Sequence, residues 1–149
     1  MTADRNCFLD TNILLTATDE SRENHISAKN LISSFGKSGR MGSISGQVAR
    51  EYLVVATRPL RVNGFGLQTS DALRNLDYFL SFLGILDETT DTAIQLRKLA
   101  EKYNLNGKRI HDANIVATMM THGIKQLITE NPADFSCFTE IQLLAIRSA

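Results

Sequence analysis

Asp10 stands in NCFLDTNILL between two apolar runs, Cys7-Phe8-Leu9 and Ile13-Leu14-Leu15. A carboxylate so placed is costly unless it is paired, hydrogen-bonded or bound to a metal. Three other stretches raise the same problem. Glu51, in SGQVAREYLVVATRP, shares a helix flank with Val48 and Val55 beside the apolar face Val48, Tyr52 and Val55. Asp112, in KRIHDANIVATMMTHG, lies at the edge of a stripe made by Ile110, Ala113, Ala117 and Met120. Asn131 and Asp134, in TENPADF, follow the short apolar segment 126–128. Singly, each has a plain explanation: a polar strand end, a glutamate reaching to water, or a first-turn acid worth up to about 1 kcal/mol against the helix dipole. Together they describe carboxylates crowded into one cleft, which repel one another unless a divalent cation neutralises them. Hard oxygen donors without a Cys/His cluster select Mg²⁺ or Mn²⁺ rather than zinc. Such a site suits phosphodiester chemistry, where a bound metal supplies hydroxide near neutral pH.

For those acids to meet, the chain must bring several element ends to one place. Very short apolar strands alternate with helical patterns, the signature of an α/β domain with a mainly parallel sheet of four to five strands and helices on both faces. Strands are expected at 7–9, 41–44, 84–87, 126–129 and 140–144. The spacing predicts helices at 12–18, 22–35, 46–57, 92–103 and 110–122, and another carrying Leu73, Leu76, Leu80 and Leu83. Ser45 is placed to cap the helix from Gly46, Pro59 to end it, and Gly123 to follow the last one. Gly36-Lys37-Ser38-Gly39 breaks the chain, and residues 58–66 read as a loop. In open parallel sheets ligands bind outside the carboxyl ends of the strands, and both Asp10 and the 129–134 segment fall at such ends.

The composition excludes several classes. The chain has 149 residues, 43% apolar and 21% charged, which predicts one soluble globular domain spanning 1–149. Lys plus Arg and Asp plus Glu are both 16, so there is no global basic field and a nucleic-acid partner must be drawn by a local patch. Cys7 and Cys137 sit beside apolar residues without CxxC spacing, which reads as buried thiols rather than a disulfide or zinc site. MTADRNCFLD lacks the basic-then-apolar pattern of a secretory leader, and no apolar run approaches bilayer length. A cytoplasmic protein is expected.

Three stretches, FLDTNILL, REYLVVATRP and HDANIVATMMTHGIKQLITENPADF, resemble PIN-domain ribonucleases, in particular VapC-type toxins of bacterial toxin–antitoxin pairs. They cover the chain almost end to end in the family's order. The resemblance implies an α/β/α sandwich, a homodimer, an RNA substrate, and a cognate antitoxin that wraps the protein and blocks its site. It makes Asp10, Glu51 and Asp112 the acidic metal-binding positions and Thr129 the hydroxyl lining the cleft. The fourth acidic position falls in TENPADF, where Asn131 stands near the usual place and Asp134 matches the DF motif. An Asn coordinates through its carbonyl but carries no charge, so the number of metals stays open.

On this reading Asp10, Glu51 and Asp112 hold Mg²⁺, Asn131 or Asp134 completes the site, and Thr11, Asn12, Asn114 and Thr129 orient the ligands. Lys37 and Arg40, Arg58 and Arg61, and Lys108 and Arg109 are the candidate phosphate contacts, with Arg58 preferred; the alternative is that they are simply solvated. His25, His111 and His122 lie too far apart in sequence to support a Ser-His-Asp hydrolase. Two other functions compete. A phosphohydrolase of the haloacid-dehalogenase type also places Asp after a buried strand but wants a second Asp where Asn12 stands. A PIN-like module that binds RNA or protein without cutting is the other.

Overall fold

The structure, a computed structural model, describes residues 5–37 and 39–149, less the side chain of Ser148. Ser38, within the expected break, and the first four residues, on which the absence of a leader was read, lie outside the described residues. Among the described residues five strands form one sheet: β1 (Asn6–Leu9), β2 (Met41–Ser45), β3 (Leu83–Leu86), β4 (Gln126–Ile128) and β5 (Gln142–Leu144). Their order is β3-β2-β1-β4-β5, and every pairing is parallel. The mainly parallel sheet expected from the sequence is thus wholly parallel among the described residues.

Among the described residues seven helices connect the strands: α1 (Thr11–Thr18), α2 (His25–Ser34), α3 (Gly46–Thr57), α4 (Thr69–Leu80), α5 (Thr90–Lys102), α6 (Arg109–Thr121) and α7 (Pro132–Phe135). Parallel neighbours are joined by right-handed crossovers. The chain moves outward from β1 through β2 to β3, then returns past β1 to β4. Helices α1 to α4, which pack on one another, therefore cover one face, and the α5–α6 pair covers the other. The result is a three-layer α/β/α sandwich whose core runs through the fully buried Phe8, Leu9, Ile44, Tyr52, Leu127 and Ile128. The reversal of strand order opens a crevice at the carboxyl ends of β1 and β4. Leu9 pairs with Ile128 there, and the Asp10 amide still bonds the Ile128 carbonyl at 3.0 Å.

Several local expectations are corrected. Leu83, read as the last position of a helical stripe, pairs with Gly42 in β3, because α4 stops at Leu80 and its apolar spacing merely continues into the strand. The helix expected from Arg22 begins at His25, after Asp19 has accepted bonds from the Ser21 amide and hydroxyl and turned the chain. The helix expected from Thr92 begins at Thr90, fixed by a capping box between Thr89 and Thr92. Helix α6 is buried nearly all round, at Ala113 and from Ile115 to Met119, rather than along one stripe, since α5 packs along it and α7 adds a further contact. The Ser45 cap, with its hydroxyl 3.5 Å from the Val48 amide, and the left-handed Gly123 are as expected.

Within the 58–66 loop a 3-10 turn at Leu60–Val62 folds back so tightly that Gly64 lies against the Arg58 carbonyl; a Cβ there would sit 1.9 Å from that oxygen. No helix among the described residues is long and apolar enough to cross a membrane.

Candidate metal centre

The sequence places an acid immediately after β1, and the fold makes it the N-cap of α1. Asp10 has extended backbone angles, and its Oδ1 accepts the Thr11 amide at 2.8 Å. Its Oδ2 accepts from the Thr129 hydroxyl at 2.9 Å and from Asn12 Nδ2 at 3.1 Å. Thr129 leaves β4 just as Asp10 leaves β1, so this bond closes the crevice at its floor. Asn12 completes it, donating to Thr129 Oγ1 at 3.2 Å and accepting the Glu130 amide at 3.2 Å. The Asn131 amide also donates to Thr129 Oγ1, at 3.0 Å.

Glu51 enters from α3. Its Oε2 accepts the Thr11 hydroxyl at 2.7 Å and its Oε1 accepts Gln47 Nε2 at 2.9 Å. One residue of α1 thus grips both acids: Thr11 binds Asp10 through its amide and Glu51 through its hydroxyl. Asp112, half-buried in the first turn of α6, and exposed Asp134, in α7, complete the acidic rim.

The charges of these four acids act on one another. Asp10 is only 8% exposed, and burial holds its carboxyl above the usual carboxylate range. The bonds from Thr129 and Thr11 oppose that shift, while the charges of Glu51 and Asp134 add to it. The carboxyl of Asp112 is pushed up to about 6, first by burial, then by repulsion from Asp134 and Asp10, with Arg109 opposing and Glu51 adding. Asp134 acts on both carboxyls, whereas Asn131 reaches the cluster through its backbone.

Among the described residues no three His, Cys, Asp or Glu side chains form a closed metal cage. The acids instead ring the crevice, with Asp10 and Glu51 each tied to neutral donors on its own side. That is the expected posture of like charges, since a cage without its cation would bring them into contact. The donor set is one of hard oxygens, carboxylates with the Asn131 carbonyl available, and suits a divalent cation rather than a soft metal.

The candidate basic residues divide. Lys108 and Arg109 open α6 at the rim, and Arg109 acts electrostatically on Asp112. Arg40 precedes β2 and so lies at the opposite, amino edge of the sheet, where its guanidinium bonds Cys7 Sγ at 3.0 Å and stacks over Phe35. Lys37 belongs to the same edge. Arg58 is folded into its own loop, donating to the Asn63 carbonyl at 3.0 Å, while Arg61 is exposed on the 3-10 turn. Two hollows flank the acids. One, of about 480 Å³, shares Thr129 and is walled by Pro132, Leu143 and Leu144; the other, of about 380 Å³, is lined by Thr11, Arg50, Glu51, Val54 and Val55.

A family model for the PIN domain matches residues 7–136. The chain belongs to the PIN-domain family. Solved structures share the fold at low identity. VapBC-1 from nontypeable Haemophilus influenzae superposes with a TM-score of 0.70 at 19% identity, over 95% of this chain and 98% of that one. VapBC2 from Rickettsia felis, bound to a DNA fragment from its promoter, gives 0.69 at 21% over 94% and 98%. VapC20 from Mycobacterium tuberculosis, a toxin that cleaves the sarcin–ricin loop, gives 0.64 at 18% over 91% and 98%. Comparison with curated proteins gives no match.

Gln47, Glu88 and Arg50 of this PIN domain escaped the sequence reading. Gln47 is 1% exposed and spans from Glu51 to the His111 carbonyl, bonding the latter at 2.9 Å. Asn114, expected only to orient ligands, donates to Gln47 Oε1 at 2.7 Å and also to Glu88, which follows β3 on the same edge. Arg50 lies in the hollow beside Glu51. The one signal for Gln47 was its position four residues before Glu51, the spacing of helix-face neighbours.

Proposed function

We propose that this PIN domain is a metal-dependent endoribonuclease, the toxin of a toxin–antitoxin pair whose cleavage of RNA arrests translation or growth. The observation that carries the reading is the convergence of Asp10, Glu51, Asp112 and Asp134 on the β1/β4 crevice, with two carboxyls raised by burial and mutual repulsion. Acids so arranged serve a positive ligand better than they serve the fold. The family match and the likeness to VapBC structures support the assignment.

Asp10, Glu51, Asp112 and Asp134 would hold Mg²⁺ or Mn²⁺, with Asn131 beside them. A bound divalent ion there supplies hydroxide near neutral pH and charge for the developing phosphate. The protein's own part is orientation. Thr11, Asn12 and Thr129 fix the Asp10 and Glu51 carboxylates before substrate arrives, and the burial of Asp10 keeps bulk water from loosening them. Lys108 and Arg109 stand where an RNA phosphate would approach Asp112, and Arg50 offers a second cation on the far side of Glu51. The hollows sharing Thr129 and Thr11 give a single strand a path across the acids. Asn12 is wholly occupied in holding the two strand ends together, which leaves no acid two residues after Asp10 for aspartyl-phosphate chemistry. The antitoxin and a homodimeric state belong to the same proposal.

The test is the chain purified free of any partner and incubated with total RNA plus Mg²⁺, Mn²⁺ or EDTA. Cleavage that EDTA abolishes and that Asp10→Asn and Asp112→Asn lose supports it. Intact RNA under every condition, with RNA still bound, would leave a binding module. An aspartyl-phosphate mass on Asp10 would revive the phosphohydrolase.

A further inference from the structure

Gln47 is an unusual choice for a buried helix position facing an acid. Its Nε2 donates one proton to Glu51 Oε1 and the other to the His111 carbonyl, both at 2.9 Å. Its Oε1 accepts from Asn114 Nδ2 at 2.7 Å, and the second Asn114 proton goes to Glu88. The direction of this chain is fixed by chemistry. Exchanging oxygen and nitrogen on Gln47 would set its oxygen against a carboxylate and a carbonyl, two groups that only accept. Exchanging them on Asn114 would do the same against Glu88 and the Gln47 oxygen.

The geometry also joins elements that the fold otherwise keeps apart. Glu51 and Gln47 ride on α3, on one face of the sheet; His111, whose next neighbour is Asp112, opens α6 on the other face. Glu88 follows β3 at the sheet's edge. One buried amide therefore spans between the elements that carry two of the proposed ligands, and Asn114 with Glu88 buttresses it from the third side.

We infer that Gln47, held by Asn114 and Glu88, is a positioning residue that sets the separation of Glu51 from Asp112 and so the fit of the crevice to its cation. The inference rests on the cation site proposed above. Gln47 touches neither substrate nor metal; it acts by where it holds the acids. Outer groups that orient ligands typically change metal affinity by about 10- to 100-fold when lost.

The experiment titrates Mn²⁺ into the full chain by calorimetry, with thermal melts and RNA-cleavage kinetics alongside. Gln47→Met keeps the volume and removes every hydrogen bond. It is expected to raise the Kd for Mn²⁺ about tenfold or more and to lower kcat while KM for RNA stays within about twofold of wild type. Asn114→Ala should weaken Mn²⁺ a few-fold, as should Glu88→Ala, whereas Glu88→Gln, which keeps an acceptor for Asn114, should bind Mn²⁺ like the wild type. If Gln47→Met fails to fold, the Asn114 and Glu88 variants decide. Unchanged Mn²⁺ affinity in the folded variants overturns the inference, as does Glu88→Gln behaving like Glu88→Ala, which would make Glu88 act by its charge. Wild-type protein that binds no Mn²⁺ also overturns it. Wild-type protein that binds Mn²⁺ but cuts no RNA defeats the ribonuclease reading alone.

Discussion

The two ends of the same parallel strands are built to opposite rules. At the amino edge, β1 and β2 begin against closely packed side chains. Cys7 Sγ lies 3.5 Å from Gln126 Oε1 and accepts from Arg40, whose guanidinium stacks on Phe35. Gly42 leaves so little room that an added Cβ would lie 2.6 Å from the Phe35 ring and 2.7 Å from Leu83. At the carboxyl edge the same strands release Asp10 and Thr129 into a ring of acids, two of which carry raised carboxyls. One end spends its contacts on the fold, the other holds groups that oppose it. The difference separates what keeps this PIN domain folded from what it uses on a ligand, and substitutions at the two ends should therefore fail in different ways.

The largest contrast is expected at the acids. Asp10→Asn and Asp112→Asn should each lower Mg²⁺-dependent RNA cleavage by about a thousandfold, roughly 4 kcal/mol of transition-state stabilisation. Yet metal-free Asp112→Asn should melt no lower than wild type, because a repelled charge has been removed, while Asp10→Asn trades that relief against the Asn12 bond that its amide nitrogen cannot accept. Cleavage assays paired with thermal melts check this; a lower melting temperature with intact cleavage would invert the comparison.

Gly42→Val gives the opposite signature. The branched side chain must displace Phe35 or Leu83, both in the core, at a cost of about 1–3 kcal/mol. Urea unfolding should report that loss, while cleavage per folded molecule and Mn²⁺ affinity stay at wild-type values.

A pH titration sharpens the comparison within one molecule. The folded protein holds the Asp112 proton more tightly than the unfolded chain does, with the carboxyl raised from 3.8 to about 6. Stability from this group is therefore fully present below pH 3.8 and is lost as pH rises through about 6. Asp10 is shifted in the same direction. Asp19 and Glu140, lowered by hydrogen bonds and neighbouring cations, work the other way, but in the acid range below their ordinary values. Metal-free protein should thus lose several degrees of melting temperature between pH 5 and pH 7. Asp112→Asn should flatten that slope, and saturating Mn²⁺ should cancel it. A melting temperature that climbs from pH 5 to pH 7 would mean the acids are not opposing one another.

Much of this division was legible before the fold was seen. The alternation of short apolar strands with helices called for a parallel α/β sheet, and Asp10 between two buried runs marked the strand end that matters. Ser45 and Gly123 announced their helix ends because capping chemistry is local. What stayed hidden depends on tertiary placement. Leu83 fits a helical spacing as well as a strand, and pairing with Gly42 decides between them. Arg40 looks like any loop cation until the all-parallel order sends it to the far edge from the acids. Gln47 reads as an ordinary polar residue in an amphipathic helix; its weight comes from a carbonyl 64 positions away. Residues 132–135 form a helix of one turn, too short for any period to show.

Arg40 supplies the smallest effect and the cleanest control. It was read as a possible phosphate contact, yet its guanidinium is engaged by Cys7 and Phe35 at the edge opposite the crevice. If the two edges are independent, Arg40→Ala should cost about 0.5–1 kcal/mol of stability from a lost cation–π contact at a partly exposed site. RNA affinity, its salt dependence and Mn²⁺ binding should all be unmoved. Lys108→Ala and Arg109→Ala, at the rim, should each weaken RNA binding and reduce the slope of log affinity against log salt by up to about 0.7 for a single strand. Binding measured at several salt concentrations separates the two cases, since a phosphate contact changes that slope and a packing cation does not. A reduced slope for Arg40→Ala would place RNA on the amino edge and join the two ends into one surface.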